Sequence, residues 1–131
     1  MPLLVALAPT LCASSTLAGP ITVIDGDTVE RDGQRWRLSD IDAPELHHAR
    51  CAAERTLAIK SAARLVELLE ASGGRVIDSG RREKYGRHLG RLIIGWPTTG
   101  EETWSAIAIR EGLAVAWNGR GRAHDWCHSP S

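Results

Sequence analysis

Asp25-Gly26-Asp27-Thr28 and Asp42-Ala43-Pro44-Glu45 put four carboxylates on two tight turns with a hairpin between them. Arg37 lies between the turns, and Glu83-Lys84-Tyr85-Gly86-Arg87 supplies cations further on. Carboxylates gathered this way can hold a hard divalent ion, which takes several oxygen ligands and tolerates irregular geometry. Arginine presents a rigid fork that grips phosphate through two parallel hydrogen bonds. These are the parts needed to hydrolyse a phosphodiester. Asp25-Gly26-Asp27 alone reads as an ordinary turn, Asp42-Ala43-Pro44-Glu45 alone as a strand exit, and Arg37 alone as a solvated strand residue. The set in this order is what carries the chemistry.

The elements that must position these residues follow from local patterns. Ile21 to Ile24 is apolar and rich in β-branched residues, which predicts a strand. Asp25-Gly26-Asp27 turns it, with Gly26 expected to supply a positive φ and Thr28 to support the turn by hydrogen bonding. Thr28 to Arg31 is a second strand. Asp32-Gly33 is a favoured two-residue hairpin signal. Gln34 to Ile41 returns as a third strand, with Arg35 and Arg37 on one side and Trp36 and Leu38 on the other. Strict alternation then places Arg37 and Asp42 on opposite faces, so a bulge or the strand exit must turn one of them.

Ala52 to Leu69 repeats apolar and small residues (Leu57, Ala58, Ser61, Leu65, Leu68) at helical spacing, and Gly73-Gly74 stops that helix. Arg75 to Asp78 is a short strand, Ser79 to Tyr85 a basic loop, His88 to Ile94 a longer strand, and Pro97 to Glu101 a turn region. Thr103 can cap a second helix running to Glu111. Leu113 to Trp117 is a last apolar segment. Three strands as a meander, a helix and two more strands give the α+β order of a five-stranded OB-type β-barrel with two or three helices. Such a barrel offers one face and its loops to oligonucleotides.

The chain has 131 residues, 43% of them hydrophobic, enough for one domain with a real core. Sixteen basic residues balance sixteen acidic ones, so the net field does not steer the chain onto nucleic acid. The charge is sorted locally instead. Residues 22–45 carry mostly acids, whereas Arg81, Arg82, Lys84, Arg87 and Arg91 stand against Glu83 alone.

Residues 1–20 carry no charged side chain, and Leu3 to Leu11 is apolar. That stretch is too short to span a bilayer and reads as a signal peptide over residues 1–18, leaving residues 19–131 as the domain of an exported protein. Of three cysteines, Cys51 and Cys127 then remain. An even pair in an exported protein points to a disulfide. His48-Ala49-Arg50-Cys51 and His124-Asp125-Trp126-Cys127 share a His-x-x-Cys spacing that could instead hold zinc, and free buried thiols are the third possibility.

The chain resembles the thermonuclease, or staphylococcal-nuclease-like, family. The resemblance rests on Val23-Ile24-Asp25-Gly26-Asp27-Thr28, Arg37-Leu38, Asp42-Ala43-Pro44-Glu45, Lys84-Tyr85-Gly86-Arg87-His88-Leu89 and Glu111-Gly112-Leu113-Ala114, across residues 21–117. It implies a Ca²⁺-dependent OB-fold nuclease acting on DNA and RNA with low sequence preference and leaving 3′-phosphates. Asp27, Asp42 and the carbonyl of Ala43 are the implied metal ligands. Glu45 is the residue that orients and activates water, Arg37 and Arg87 grip the scissile phosphate, and Lys84 and Tyr85 contact a neighbouring one. Single-stranded DNA and RNA are the implied substrates, for a monomer with no membrane or stable protein partner. The chain departs from the family at Ala43, where threonine is common, and in a short segment after Glu45 that lacks a lysine-rich loop. Trp117 lies near a base-stacking tyrosine of the family and reads either as that platform or as a core or capping residue. A non-catalytic nucleic-acid-binding OB module is the alternative, and the presence of Asp27, Asp42, Glu45, Arg37 and Arg87 together argues against it.

Overall fold

The computed structural model describes residues 20–128; the expected signal peptide lies outside them. Strand β1 (Thr22–Asp25) pairs antiparallel with β2 (Thr28–Arg31), and β2 with β3 (Gln34–Leu38). The β2–β3 connection is the Asp32-Gly33 pair, both with positive φ (52° and 75°), as a type I′ hairpin requires. Trp36 and Leu38 are buried while Arg35 is exposed, so the alternation expected of this strand holds.

The third strand is shorter than the sequence predicts. It ends at Leu38, and Ser39-Asp40 turns the chain out of the main sheet. β4 (Ile41–Asp42) then pairs with β8 (Val115–Ala116) in a separate two-stranded ladder. That exit resolves the parity problem, because Asp42 no longer belongs to the strand that carries Arg37.

Helix α1 (Ala52–Ser72) follows, with Cys51 as its N-cap and Gly73 as its C-cap. Ala58, Ser61 and Leu65 are buried on one face, with Leu57, Leu68 and Leu69 packed beside them. β5 (Gly74–Arg82) and β6 (His88–Trp96) form a long antiparallel pair, so the expected basic loop is strand as far as Arg82. β6 also lies parallel to β3, with Arg37 opposite Leu89. β7 (Gly100–Thr103), which begins at the end of the expected turn region, pairs back onto β6. Helix α2 (Trp104–Arg110) is capped by the Thr103 hydroxyl, as its sequence predicts. Arg64 of α1 clamps Glu111 through two hydrogen bonds of 2.8 and 3.1 Å.

The main strand path is β1-β2-β3-β6-β5 with β7 added on β6, and the two helices pack against it. A meander of three strands joined by a parallel pair to a later hairpin is the strand order of an OB-type barrel. The core is Val29, Trp36, Leu38, Ile41, Leu65, Leu92, Ile94, Trp104 and Ile107. Trp104 is fully buried and donates its indole N–H to the carbonyl of Gly26 at 2.7 Å. One large core residue therefore also pins the first acidic turn.

Gly26 does not adopt the positive φ expected of it. Its requirement is space. A Cβ there would stand 2.3 Å from Ser61 Oγ and 2.8 Å from the Ala43 methyl. Ser61 is itself fixed by a 3.1 Å hydrogen bond to the carbonyl of Leu113. Gly26→Ala is therefore expected to force helix α1 and the second acidic turn apart, costing roughly 1–3 kcal/mol. Urea unfolding of the variant checks this.

Candidate active site

Asp25, Asp27 and Asp42 are all buried although each carries a carboxylate. The backbone explains how they meet. A bulge between Val23 and Asp25 breaks the β1–β2 register and re-aims the end of β1. Asp27 then faces β4 across the turn. Its Oδ1 accepts the Thr28 hydroxyl at 3.0 Å, and its Oδ2 accepts the Ala43 N–H at 2.9 Å. This last bond ties the first turn to the second directly.

Arg37 lies between the two aspartates, its guanidinium 3.4 Å from Asp27 Oδ2 and 3.6 Å from Asp42 Oδ1. The opposite edge of the fork donates to the carbonyls of Leu38 and Ile41. The guanidinium is thus locked by the same strand exit that delivers Asp42. The Trp117 ring is half-buried, with the guanidinium carbon 5.3 Å from its centroid. Trp117 therefore borders the site and is not a core residue; its indole N–H donates to the carbonyl of Arg120.

One arginine does not balance this many carboxylates. Burial, the charge of Asp27 and a hydrogen bond with it push the Asp25 pKa up to about 8, and Glu45 adds to the effect. Asp25 Oδ1 is buried without a hydrogen-bond partner. Desolvation and then Asp27 also raise Asp42, against the lowering effect of its hydrogen bonds and of Arg37. Glu45 is exposed as a residue, but its carboxyl end lies over the cluster; desolvation there, followed by the charge of Asp27, raises it too. The site is short of positive charge, which is the electrostatic condition for taking up a cation. Among the described residues no three His, Cys, Asp or Glu side chains form a ready-made cage. Oxygen donors of this kind, carboxylates with main-chain carbonyls nearby, are the type that a hard cation takes.

Glu54 is a residue that the sequence reading missed. It is 1% exposed, and its two oxygens accept the N–H of Glu45 at 3.0 Å and that of Arg50 at 2.9 Å. It stands three residues after the N-cap, where a glutamate commonly reaches back to bond backbone donors. The cap being a cysteine hid that signal.

The cationic residues form a second group. Arg87 lies near the start of β6, on the side of the sheet that Arg37 and Leu89 share by register. Its guanidinium is held by Glu83, with Nε 3.4 Å from Oε1, and is not turned toward the aspartates. Glu83 also accepts the backbone N–H groups of Tyr85 and Arg87. Burial would raise its carboxyl, but these bonds outweigh that and leave it below its usual range. Lys84 and Tyr85 are exposed, the ammonium 5.0 Å from the ring centroid. Gln34, Arg35, Arg82, Tyr85, Arg87 and His88 line a cleft of about 280 Å³. The structure thus gathers Asp27, Asp42, Ala43, Arg37 and Glu45 at one place, while Lys84, Tyr85 and Arg87 stand together on the turn that leads into β6.

Cys51 and Cys127 are joined by a disulfide, with Cα atoms 6.0 Å apart. The zinc alternative therefore finds no support in this geometry. The bond returns the C-terminal tail to the start of α1, where His124 N–H donates to Asp42 Oδ2 at 3.0 Å and the Trp126 indole N–H to the same oxygen at 3.2 Å.

An OB-type barrel with a buried acidic cluster beside an arginine-lined cleft defines a class of phosphate-handling or nucleic-acid-handling modules. The model for staphylococcal nuclease homologues matches residues 35–126, and the chain belongs to that family. The matched span includes Arg37, Asp42, Glu45 and Arg87 and begins after Asp25 and Asp27. The succinoglycan biosynthesis protein ExoI of Rhizobium meliloti (strain 1021) is 37% identical over 82 residues, 60% of this chain. The chain spans 42% of the length of that relative. Family membership supports a nuclease or nucleic-acid-binding module.

Asp25 supplies a test of the charge shortage. Its folded-state pKa lies above the ordinary value, so the folded state favours the protonated acid. That contribution is complete below about pH 4 and fades as pH rises toward 8. In chelator at pH 7.5, Asp25→Asn is expected to be more stable than wild type by on the order of 1–3 kcal/mol. The gap should close by pH 4, as measured by urea unfolding at both values.

Proposed function

We propose that this chain is an exported, Ca²⁺-dependent nuclease that hydrolyses single-stranded DNA and RNA with little sequence preference. The observation that carries the reading is the set of buried, undercompensated carboxylates of Asp25, Asp27 and Asp42, flanked by Glu45 and by an arginine-lined cleft. Asp27, Asp42 and the Ala43 carbonyl would hold the ion, which when bound supplies positive charge to a phosphate oxygen and to water.

The chain's own residues do the rest. Arg37 can exchange its aspartate contacts for a phosphate oxygen without moving far, because its backbone contacts to Leu38 and Ile41 fix the base of the fork. Arg87 can do the same by releasing Glu83, a part-exposed pair that contributes little stability. Both forks would then neutralise charge that builds on the equatorial oxygens. Glu45, an exposed residue whose carboxyl is raised in pKa by desolvation and then by the charge of Asp27, would accept the proton of the attacking water. In-line attack would expel the 5′ oxygen and leave a 3′-phosphate. Lys84 and Tyr85 are free to contact a flanking phosphate. The Cys51–Cys127 disulfide supports the exported setting, since such bonds persist in oxidising compartments. The signal-peptide reading of residues 1–18 supports it independently.

Plasmid and RNA digestion with Ca²⁺, and again with excess EGTA, tests the reading. Activity should require Ca²⁺, and the ion at 100 times its Kd should add about 2.7 kcal/mol of stability by mass action. Glu45→Gln should fold normally and lose roughly 10²-fold or more in rate. Binding of single-stranded DNA without any cleavage would instead indicate the non-catalytic module.

Arg37→Lys and Arg87→Lys keep the charge but give up the fork. Each is expected to cost about 3 kcal/mol in activation free energy, the scale of losing a preorganised donor. kcat/KM on single-stranded DNA, with circular dichroism to verify folding, measures it. A wild-type rate from either folded variant removes that arginine from the site.

A further inference from the structure

The tail beyond β8 is not needed to complete the strand path, yet it ends on a carboxylate of the acidic cluster. His124 N–H and Trp126 Nε1–H both donate to Asp42 Oδ2, at 3.0 and 3.2 Å, from 82 and 84 residues away in sequence. The His124 and Trp126 rings pack edge to face, with centroids 4.5 Å apart. Asp125 accepts the N–H groups of Cys127 and His128, folding the segment into a tight turn. The next residue, Cys127, is bonded to Cys51 at the N-cap of α1. Three residues on, Glu54 holds the N–H of Glu45. The tail is therefore a strap, fastened beside the Asp42–Glu45 turn and bearing on one oxygen of Asp42.

We propose that this disulfide-fastened strap is a positioning element for metal binding, with Trp126 as its principal side chain. Two donors on Oδ2 fix the carboxylate's rotation and leave Oδ1 on the side of Arg37, which also contacts Asp27. Oδ1 meets Arg37 at the longer distance of 3.6 Å, so it is the oxygen that a cation displacing Arg37 would meet. Partners of this kind orient ligands, and their loss typically weakens metal binding by roughly 10–100-fold. The disulfide limits how far the strap can lift, so both donors stay in place while substrate enters and leaves. The inference rests on the Ca²⁺ reading of Asp27 and Asp42.

The experiment is calorimetric titration of Ca²⁺ into the oxidised full chain, compared with Trp126→Phe and Cys127→Ser. Trp126→Phe removes the indole donor and keeps an aromatic ring. Cys127→Ser unfastens the strap while Asp42 stays in place and Cys51 keeps its sulfur at the helix cap. Both variants should raise the Ca²⁺ Kd by roughly tenfold or more. For Trp126→Phe the melting temperature in chelator should change little by comparison. If Trp126→Phe does not fold, Cys127→Ser carries the test alone. A Kd within twofold of wild type in the folded variants, with only the chelator melting temperature lowered, would show a brace with no bearing on the metal and overturn the strap alone. Wild-type protein that takes up no Ca²⁺ would overturn both the strap and the metal reading beneath it.

Discussion

The Arg37 guanidinium between Asp27 and Asp42 is the contact on which the site depends. Buried carboxylates repel one another, and each costs several kcal/mol to desolvate unless it is paired. One arginine serves two of them, at 3.4 and 3.6 Å. It can do so only because its other edge is held by two backbone carbonyls at the strand exit. What one guanidinium leaves uncompensated appears at Asp25, whose carboxyl is pushed up by burial and by the charge of Asp27. The fold therefore gathers more carboxylates than its one guanidinium can pair.

The rest of the molecule resists the repulsion. Trp104, the largest fully buried side chain, spends its one donor on the Gly26 carbonyl and holds the first turn from the core side. The Ala43 N–H bonds Asp27 and holds the second turn against the first. The Asp42–Glu45 segment is gripped at both ends, by the tail at Asp42 and by Glu54 at Glu45. The absence of a side chain at Gly26 lets Ser61 of helix α1 and Ala43 of the second turn close on the first turn. Hydrophobic packing and polar positioning are here the same set of contacts.

The local features of this arrangement were legible in the sequence. The Asp32-Gly33 turn, the Trp36/Leu38 alternation and the Thr103 cap depend on neighbours within four residues, and each took the form its pattern predicts. The expectations that failed depend on distant partners. Gln34 to Ile41 reads as one strand, but Ile41 finds its partner at Ala116, so the strand splits after Leu38. Pro97 to Glu101 reads as turn, but from Gly100 the chain finds an edge on β6 and becomes strand. Glu54 escaped notice, because its role lies in two N–H groups presented by the preceding loop. The tail read as a Gly/Arg-rich end, since nothing local shows that residues 124 and 126 reach residue 42.

The zero net charge acquires a physical meaning from these contacts. Two of the cleft's arginines are already matched, Arg87 with Glu83 and Arg35 with Glu30, as is Arg37 of the acidic cluster with Asp27 and Asp42. A phosphate arriving there does not meet bare cations in a strong field; it takes over from carboxylates already in place. For the part-exposed pairs of Arg35 and Arg87 that exchange costs little, because such pairs contribute at most about 1 kcal/mol. For Arg37 it costs more, since releasing it leaves two buried aspartates unpaired. A cation bound between Asp27 and Asp42 would remove that penalty. On the proposed reading, metal and phosphate binding would be coupled through one side chain: an ion would free Arg37 from the aspartates, and the freed fork could then turn to the phosphate.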